Sequence, residues 1–354
     1  MNTIRGYLMS NVMQATLLVM LVLLSLEVFI NLANQLDELG TGDYDFMQAI
    51  TYVLLDLPQQ LYRLFPMAGL LGALLGLGSM ATYSELIALQ AAGISRRQIA
   101  GNVLLAGCAL VIIATIIGEG IAPFTEHLAE YRKTFATSSS QAFQTIHGFW
   151  VRDGQSFIHI HNILPDGHLQ GISRYEFDKQ NHLRATSYAE EAYYQHQAWI
   201  MAKVRQSLIS ARGVQSHTVA QVHWNLSLSP RLLQLSLLEP EQMSLKQLLV
   251  AINYLKKNAL HDDRYNMAFW KRVMQPLASL VMIFLAVPFV FGPLRNSSTS
   301  SRFLMGTLTG FGFYLLNAFF APLSVVLQAP AWLAAFIPIA IFTGIAALLL
   351  RYQV

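Results

Sequence analysis

Six runs of roughly 20 mainly apolar residues constrain this chain most, because each is long enough to cross about 30 Å of hydrocarbon. They are Thr16 to Leu36, Leu64 to Tyr83, Ile99 to Pro123, Val273 to Phe291, Phe303 to Leu327 and Ala331 to Leu350. A segment surrounded by lipid must satisfy its own backbone, so each run predicts a membrane-spanning helix. Only 12% of the 354 residues are charged, about half the share usual in a soluble protein. The first run is too long for the apolar part of a secretory signal and no A-x-A pattern follows it, which predicts a retained helix. The net charge of +3 is too small to point to nucleic acid, and the single cysteine, Cys108, permits no internal disulfide.

The charges supply an orientation. If the helices alternate, Arg5, Arg96, Arg97, Arg295, Arg302 and Arg351 fall on one side, whereas the loop after the first run carries only Asp37, Glu38, Asp43 and Asp45. Basic residues favour the cytoplasmic side, so both termini are expected there. The polar insert at 124–264 then lies on the opposite side. Its segments FWVRDGQSFIHIHN, ISRYEFDKQNHLRATSYA and QAWIMAKVRQSLI alternate or nearly so, and Asp153-Gly154 and Asp166-Gly167 are turn dipeptides. They predict an antiparallel β domain, with Phe149, Phe157, Tyr175, Phe177, Tyr193 and Trp199 as its expected core. The insert ends in an amphipathic helix capped by Ser244, with Leu245, Leu248, Leu249, Ile252 and Leu255 on one stripe. That stripe, flanked by Lys246, Lys256 and Lys257, suits either the membrane surface or the face of the β domain. The expected organisation is a transmembrane half at 1–123, the β domain with its connecting helix at 124–264, and a second transmembrane half at 265–354. Asn296 to Ser301, NSSTSS, reads as a short flexible loop.

Few residues suggest chemistry of their own. A phosphate-cradling loop needs a Gly-Lys pair and none occurs, so ATP, if it powers this chain, is bound elsewhere. Glu27 and Glu119 lie in apolar runs, where carboxylates are either ion-coupling groups or structural groups near a helix end. His159 and His161 share one face of a strand but lack further ligands at convincing spacing, so no metal site is expected. No nucleophile motif appears.

Small residues and stray cations carry more. Gly69, Gly72, Gly76 and Gly78 line the second run, and Gly306 and Gly310 form a G-x-x-x-G in the fifth. Such stripes let helices approach closely, either within one chain or between two. Arg63, Arg132, Lys133, Lys271 and Arg272 sit at the ends where the positive-inside bias does not ask for cations. They suit the anionic groups of a lipid, or internal partners such as Asp37, Glu38, Asp262 and Asp263.

Between the second and third runs lies YSELIALQAAGISRRQIA. Ser84 fits an N-cap, Glu85 the positive end of a helix dipole and Gly93 a terminator. They predict a helix over about 84–93 of some eight residues, ~12 Å long, too short to span. Leu86, Ile87 and Leu89 give it an apolar surface, Ala88, Ala91 and Ala92 permit close approach, and Arg96 and Arg97 open the next span.

This segment, together with FPMAGLLGALLGLG, GEGIAP at Gly118 to Pro123, and KRVMQPLASLVMIFLAVPFVFGPLR at Lys271 to Arg295, resembles the LptF/LptG family of lipopolysaccharide export permeases over nearly the whole chain. The resemblance implies a non-catalytic subunit of an ABC transporter in the inner membrane of Gram-negative bacteria. It implies six transmembrane helices with an inserted periplasmic β-jellyroll-like domain. Its expected partners are a second, LptF-like permease, an LptB-like ATPase dimer that binds ATP and Mg, a single-span LptC-like protein, an LptA-like periplasmic bridge and lipopolysaccharide. The miniature helix would be the coupling helix, with Glu85 its acidic contact and Leu86, Ile87, Leu89, Arg96 and Arg97 beside it. One stretch departs from the family. Where lysines suited to lipid A phosphates are common near the outer end of the first helix, INLANQLDELG has Asn31, Asp37 and Glu38. Either Arg63, Arg132, Lys133, Lys271 and Arg272 take over those contacts, with Asn31 beside them as a further substrate-binding residue, or the substrate carries a different charge pattern. A membrane scaffold whose β domain binds partners without moving lipid is the alternative.

Overall fold

The computed structural model describes residues 2–137, 143–164, 168–178, 180, 182–195, 198–210, 213–224, 239–258, 260–291, 298–327 and 329–351. Six helical stretches are long and apolar enough to span a membrane: Ile4–Glu38, Phe46–Thr82, Arg96–Lys133, Asp263–Phe291, Ser300–Ser324 and Ala331–Arg351. They match the six runs and overshoot most of them, because polar flanking residues continue the same hydrogen-bond ladder. The first two helices are α1 (Asn2–Gln35) and α2 (Phe46–Thr82). At 37 residues α2 is about 56 Å long, and the Asp45 side chain starts it by accepting the Gln48 N–H at 2.8 Å.

The third span departs from expectation at Pro123. It consists of α4 (Arg96–Ile116), a π-helical turn (Ile117–Ile121) and α5 (Ala122–Thr137), which follow α3 (Glu85–Ala91). In the wide turn the Ala122 N–H reaches the Ile117 carbonyl. Pro123, the second residue of α5, follows directly after this turn, where its missing N–H costs least. The helix thus continues to Thr137, and residues from 124 that were expected in the β domain extend the third span instead.

The helical core forms around α2, buried almost continuously from Phe65 to Met80. Its glycines face different neighbours. A Cβ on Gly72 would strike the Thr16 backbone of α1, one on Gly76 would come within 3.2 Å of the Asn11 carbonyl oxygen, and one on Gly69 would meet the Ile283 side chain at 2.7 Å. Gly306 and Gly310 press on α2 in the same way, against Leu71, Leu74 and Met67. Gly72, Gly76, Gly306 and Gly310 are therefore all used for packing inside this chain. Lipid tails offer helices no hydrophobic drive to associate, so close backbone approach supplies the contact.

The insert begins with six strands: β1 (Phe143–Asp153), β2 (Ser156–Ile163), β3 (Leu169–Phe177), β4 (Leu183–Gln195), β5 (Ala198–Ser210) and β6 (Gly213–Trp224). They pair antiparallel in sequential order, so among the described residues the expected β domain is one meander. Asp153 pairs with Ser156 around a tight turn in which Gly154 has φ +60°; Asp166-Gly167 lies outside the described residues. The core is mostly aliphatic. Ile158, Ile160, Ile172, Met201 and Val204 are buried with Trp199 and Trp224. Among the aromatics expected there, Trp199 is fully buried, whereas Phe157 and Phe177 meet each other edge-on, 5.6 Å apart, with Phe157 exposed. Period-2 alternation puts Ile158 and Ile160 on one face and Phe157 on the other.

After the sheet, α6 (Leu245–Lys257) is capped by Ser244 and Gln247 in a reciprocal box, as its S-x-x-Q pattern predicts. Leu248 and Ala251 pack with Ala268 of α7 (Asp263–Phe291), and Tyr254 lies against the sheet core. The buried side of the helix joins sheet to bundle. The chain finishes with α8 (Thr299–Val326) and α9 (Ala331–Arg351).

Candidate functional site

Two groups of predicted residues sit at opposite ends of the bundle. At one end α2 turns into α3. Ser84, expected as an N-cap, sits in the left-handed region with φ 60° and makes no capping bond through its side chain. Its backbone is committed to the reversal instead: the Ser84 N–H reaches the Ala81 carbonyl at 3.1 Å and its own carbonyl accepts from Ala88 at 3.0 Å. The other end of α3 follows its sequence. Gly93 takes φ +89° and the Ile94 N–H closes onto the Leu89 carbonyl at 3.1 Å, a left-handed stop that L side chains resist. Ser95 then caps α4 with Gln98 in a reciprocal box.

The coupling residues expected from sequence divide by direction. Leu86 is only 3% exposed and belongs to the bundle core, with Leu89 packed against it, so these two anchor α3 instead of facing out. Ile87 is 51% exposed, and Ala88, Ala91 and Ala92 lie around it on the open side of the helix. Glu85 accepts a hydrogen bond from the Tyr7 hydroxyl of α1 at 2.9 Å. Arg96 and Arg97 are exposed on the first turn of α4, with the Arg96 guanidinium 5.8 Å from the Phe291 ring centroid. The result is a short apolar ledge with cations on the adjoining helix.

At the sheet end the expected phosphate contacts also divide. Arg272 is 8% exposed and points inward. Its guanidinium donates to the Glu119 carboxylate and the Gly118 carbonyl, reaches the Glu241 carbonyl at 3.3 Å, and lies 5.6 Å from the Tyr62 ring centroid. The second Glu119 oxygen accepts the Leu245 N–H at 3.1 Å. Glu119, in the π turn, thus joins three elements, and Arg272 turns three of its five N–H donors and its charge inward to this junction. Lys133 pairs with Glu38 at 2.8 Å, and Asn31 donates to Asp56 at 3.3 Å. The cations still facing outward are Arg63 and Arg132, which are exposed and make no ion pair among the described residues, and the half-buried Lys271. Arg63 and Glu241 are near enough to Lys271 to act on its charge.

Sequence reasoning passed over Tyr7, whose partner is 78 positions away and carries no local signal. It also used Arg302 only for orientation, although Arg302 is 2% exposed. A lone arginine at the edge of an apolar run is the kind of signal that finds such a residue. His159 and His161 have ring centroids 6.3 Å apart, and among the described residues no three His, Cys, Asp or Glu side chains converge as a metal site.

Six spanning helices, a sheet inserted between the third and fourth, and an exposed miniature helix at the opposite end define a polytopic membrane protein of permease type. A family model described as lipopolysaccharide export system permease LptF/LptG matches residues 6–352, and the chain belongs to that family. It is 34% identical over 339 residues to the lipopolysaccharide export system permease protein LptG of Escherichia coli K12, covering 95% of this chain and 94% of the relative. It is 32% identical over 343 residues to LptG of Haemophilus influenzae, covering 96% of each.

Proposed function

We propose that the chain is the permease subunit of an ABC transporter that extracts lipopolysaccharide from the outer leaflet of the inner membrane and passes it to a periplasmic bridge. Both termini and α3 face the cytoplasm, and the sheet stands in the periplasm. The charge bias supports that orientation. The chain performs no ATP chemistry; a separate LptB-like ATPase dimer binds ATP and Mg, and an LptF-like permease, an LptC-like single-span protein and an LptA-like bridge complete the assembly. The observation that carries the reading is the ledge on α3. Exposed Ile87 and the three alanines around it form a docking surface fixed from behind by buried Leu86. On the sheet side, Arg63, Arg132 and Lys271 are the cations proposed to meet lipid phosphates.

Purification of the wild-type complex and of Ile87→Glu tests this. The ATPase co-purifies with the wild type and is lost with the variant, because a carboxylate on the ledge must be desolvated on docking. Equal recovery of the ATPase with both proteins refutes the docking surface. ATP-dependent photocrosslinks to lipopolysaccharide from the helical bundle support transport, whereas crosslinks confined to proteins on the sheet favour the scaffold.

A further inference from the structure

The corner between α2 and α3 is tied to two other spans by side chains that the docking reading does not use. From α1, the Tyr7 hydroxyl donates to Glu85 at the start of α3. From α8, the Arg302 guanidinium donates through Nη1 to the Gly78 carbonyl and, at 2.8 Å, to the Thr82 hydroxyl in the last turn of α2. Thr82 in turn donates to the same Gly78 carbonyl at 3.0 Å. The seat for Arg302 is built into α2, since a Cβ on Gly78 would meet the Arg302 Cδ at 2.7 Å. A cation there also opposes the negative end of the α2 dipole.

Among the described spans, the two that hold this corner are the least enclosed by the chain's own residues. Only 17% of the most apolar stretch of α1 and of the α8 span is buried, against 72% in α2. We propose that Tyr7 and Arg302 are positioning residues: Tyr7 carries displacement of α3 to α1, and Arg302 carries the accompanying displacement of the last turn of α2 to α8. The proposal rests on the reading of α3 as the ATPase dock. It assigns to each of these two spans its own polar tie, placed at the corner where force would enter.

The test uses the whole reconstituted complex with lipopolysaccharide as the transported probe, and reads lipid released per ATP hydrolysed. Tyr7→Phe removes only the hydroxyl, and Thr82→Val removes one Arg302 acceptor at nearly constant shape. Each variant is expected to retain the ATPase at wild-type yield and to lower release per ATP about fivefold, the equilibrium shift produced by one hydrogen bond of typical net strength. Thr82→Ser, which keeps the hydroxyl, holds the wild-type ratio. An unchanged ratio in both variants overturns the proposal. So does a lower melting temperature with an unchanged ratio in the surviving complex, which would make the ties merely structural. A wild-type complex that lacks the ATPase refutes the docking reading first, and the ties with it.

Discussion

Removing the Arg272 guanidinium separates a structural ion pair from a substrate contact. In Arg272→Met the aliphatic stem is roughly kept, but Glu119 loses its cation, and the Gly118 and Glu241 carbonyls lose a donor. Breaking a buried pair by deleting one partner costs about 3 to 5 kcal/mol, because the other charge stays buried and unpaired. Glu119 keeps 22% side-chain exposure and the Leu245 N–H, so the expected loss lies at the low end, about 3 kcal/mol. The cost comes mostly from the abandoned charge, which fixes a sign. Glu119→Gln in the Arg272→Met background leaves neither charge uncompensated, and the introduced amide oxygen still accepts the Leu245 N–H, so the double variant is more stable than Arg272→Met alone. Denaturant titration in mixed micelles, followed by tryptophan fluorescence, measures the four corners of this cycle. A double variant that loses the sum of the two single losses refutes the reasoning. Arg272→Met at wild-type stability with weakened lipid stimulation would return Arg272 to the substrate.

Other consequences are measurable. Gly72→Val drives a branched side chain into the Thr16 backbone, so α1 must leave α2; a loss of several kcal/mol, as for severe overpacking, appears as a collapse in folded yield on size exclusion. Gly93→Ala keeps α3 but strains its left-handed stop by roughly 1 kcal/mol, and weaker hydrogen-exchange protection of residues 85–91 reports the frayed end. The Asp178 carboxyl is held below its ordinary 3.8 chiefly by the His182 backbone N–H, aided by the Gln180 N–H. A depressed carboxylate stabilises above its unfolded pKa and the contribution disappears as pH falls through the lower folded value. Hydrogen exchange at the β3–β4 turn should accordingly rise in acid below about pH 4 beyond its intrinsic rate, and Asp178→Asn should flatten that dependence.

Features set by local composition were readable from the chain, and those set by distant pairing were not. Each span declared itself because lipid demands a continuous apolar run, and α6 did so through Ser244 and Gln247. The end of the third span was misread because a proline followed by charged residues signals a stop in a regular helix. The π turn changes which N–H is needed, and nothing nearby in sequence announces it. In the β domain, alternation gave the strands, but large aromatics attracted the core assignment although the smaller Ile158 and Ile160 hold the inward phase. Among the coupling residues, spacing found the helix and could not choose its buried side, since Leu86 and Ile87 differ only in what α2 and its neighbours place behind them. Arg272 looked like a free cation because Glu119 lies 153 residues earlier.

The π turn at Ile117–Ile121 also sets the rotational phase of everything after it. It places Gly118 beneath the Tyr62 ring and Glu119 at Arg272, and further along α5 the chain still has Lys133 aimed at Glu38. A straight α-helix of equal length and hydropathy would insert equally well, but would turn its far half by about a quarter revolution, since one residue corresponds to roughly 100°. Such a chimera would cross the membrane with Lys133 pointing away from Glu38. Deleting one residue from the replacement would bring the two back into line, which makes the length of this span, and not its greasiness, the quantity its sequence has to keep.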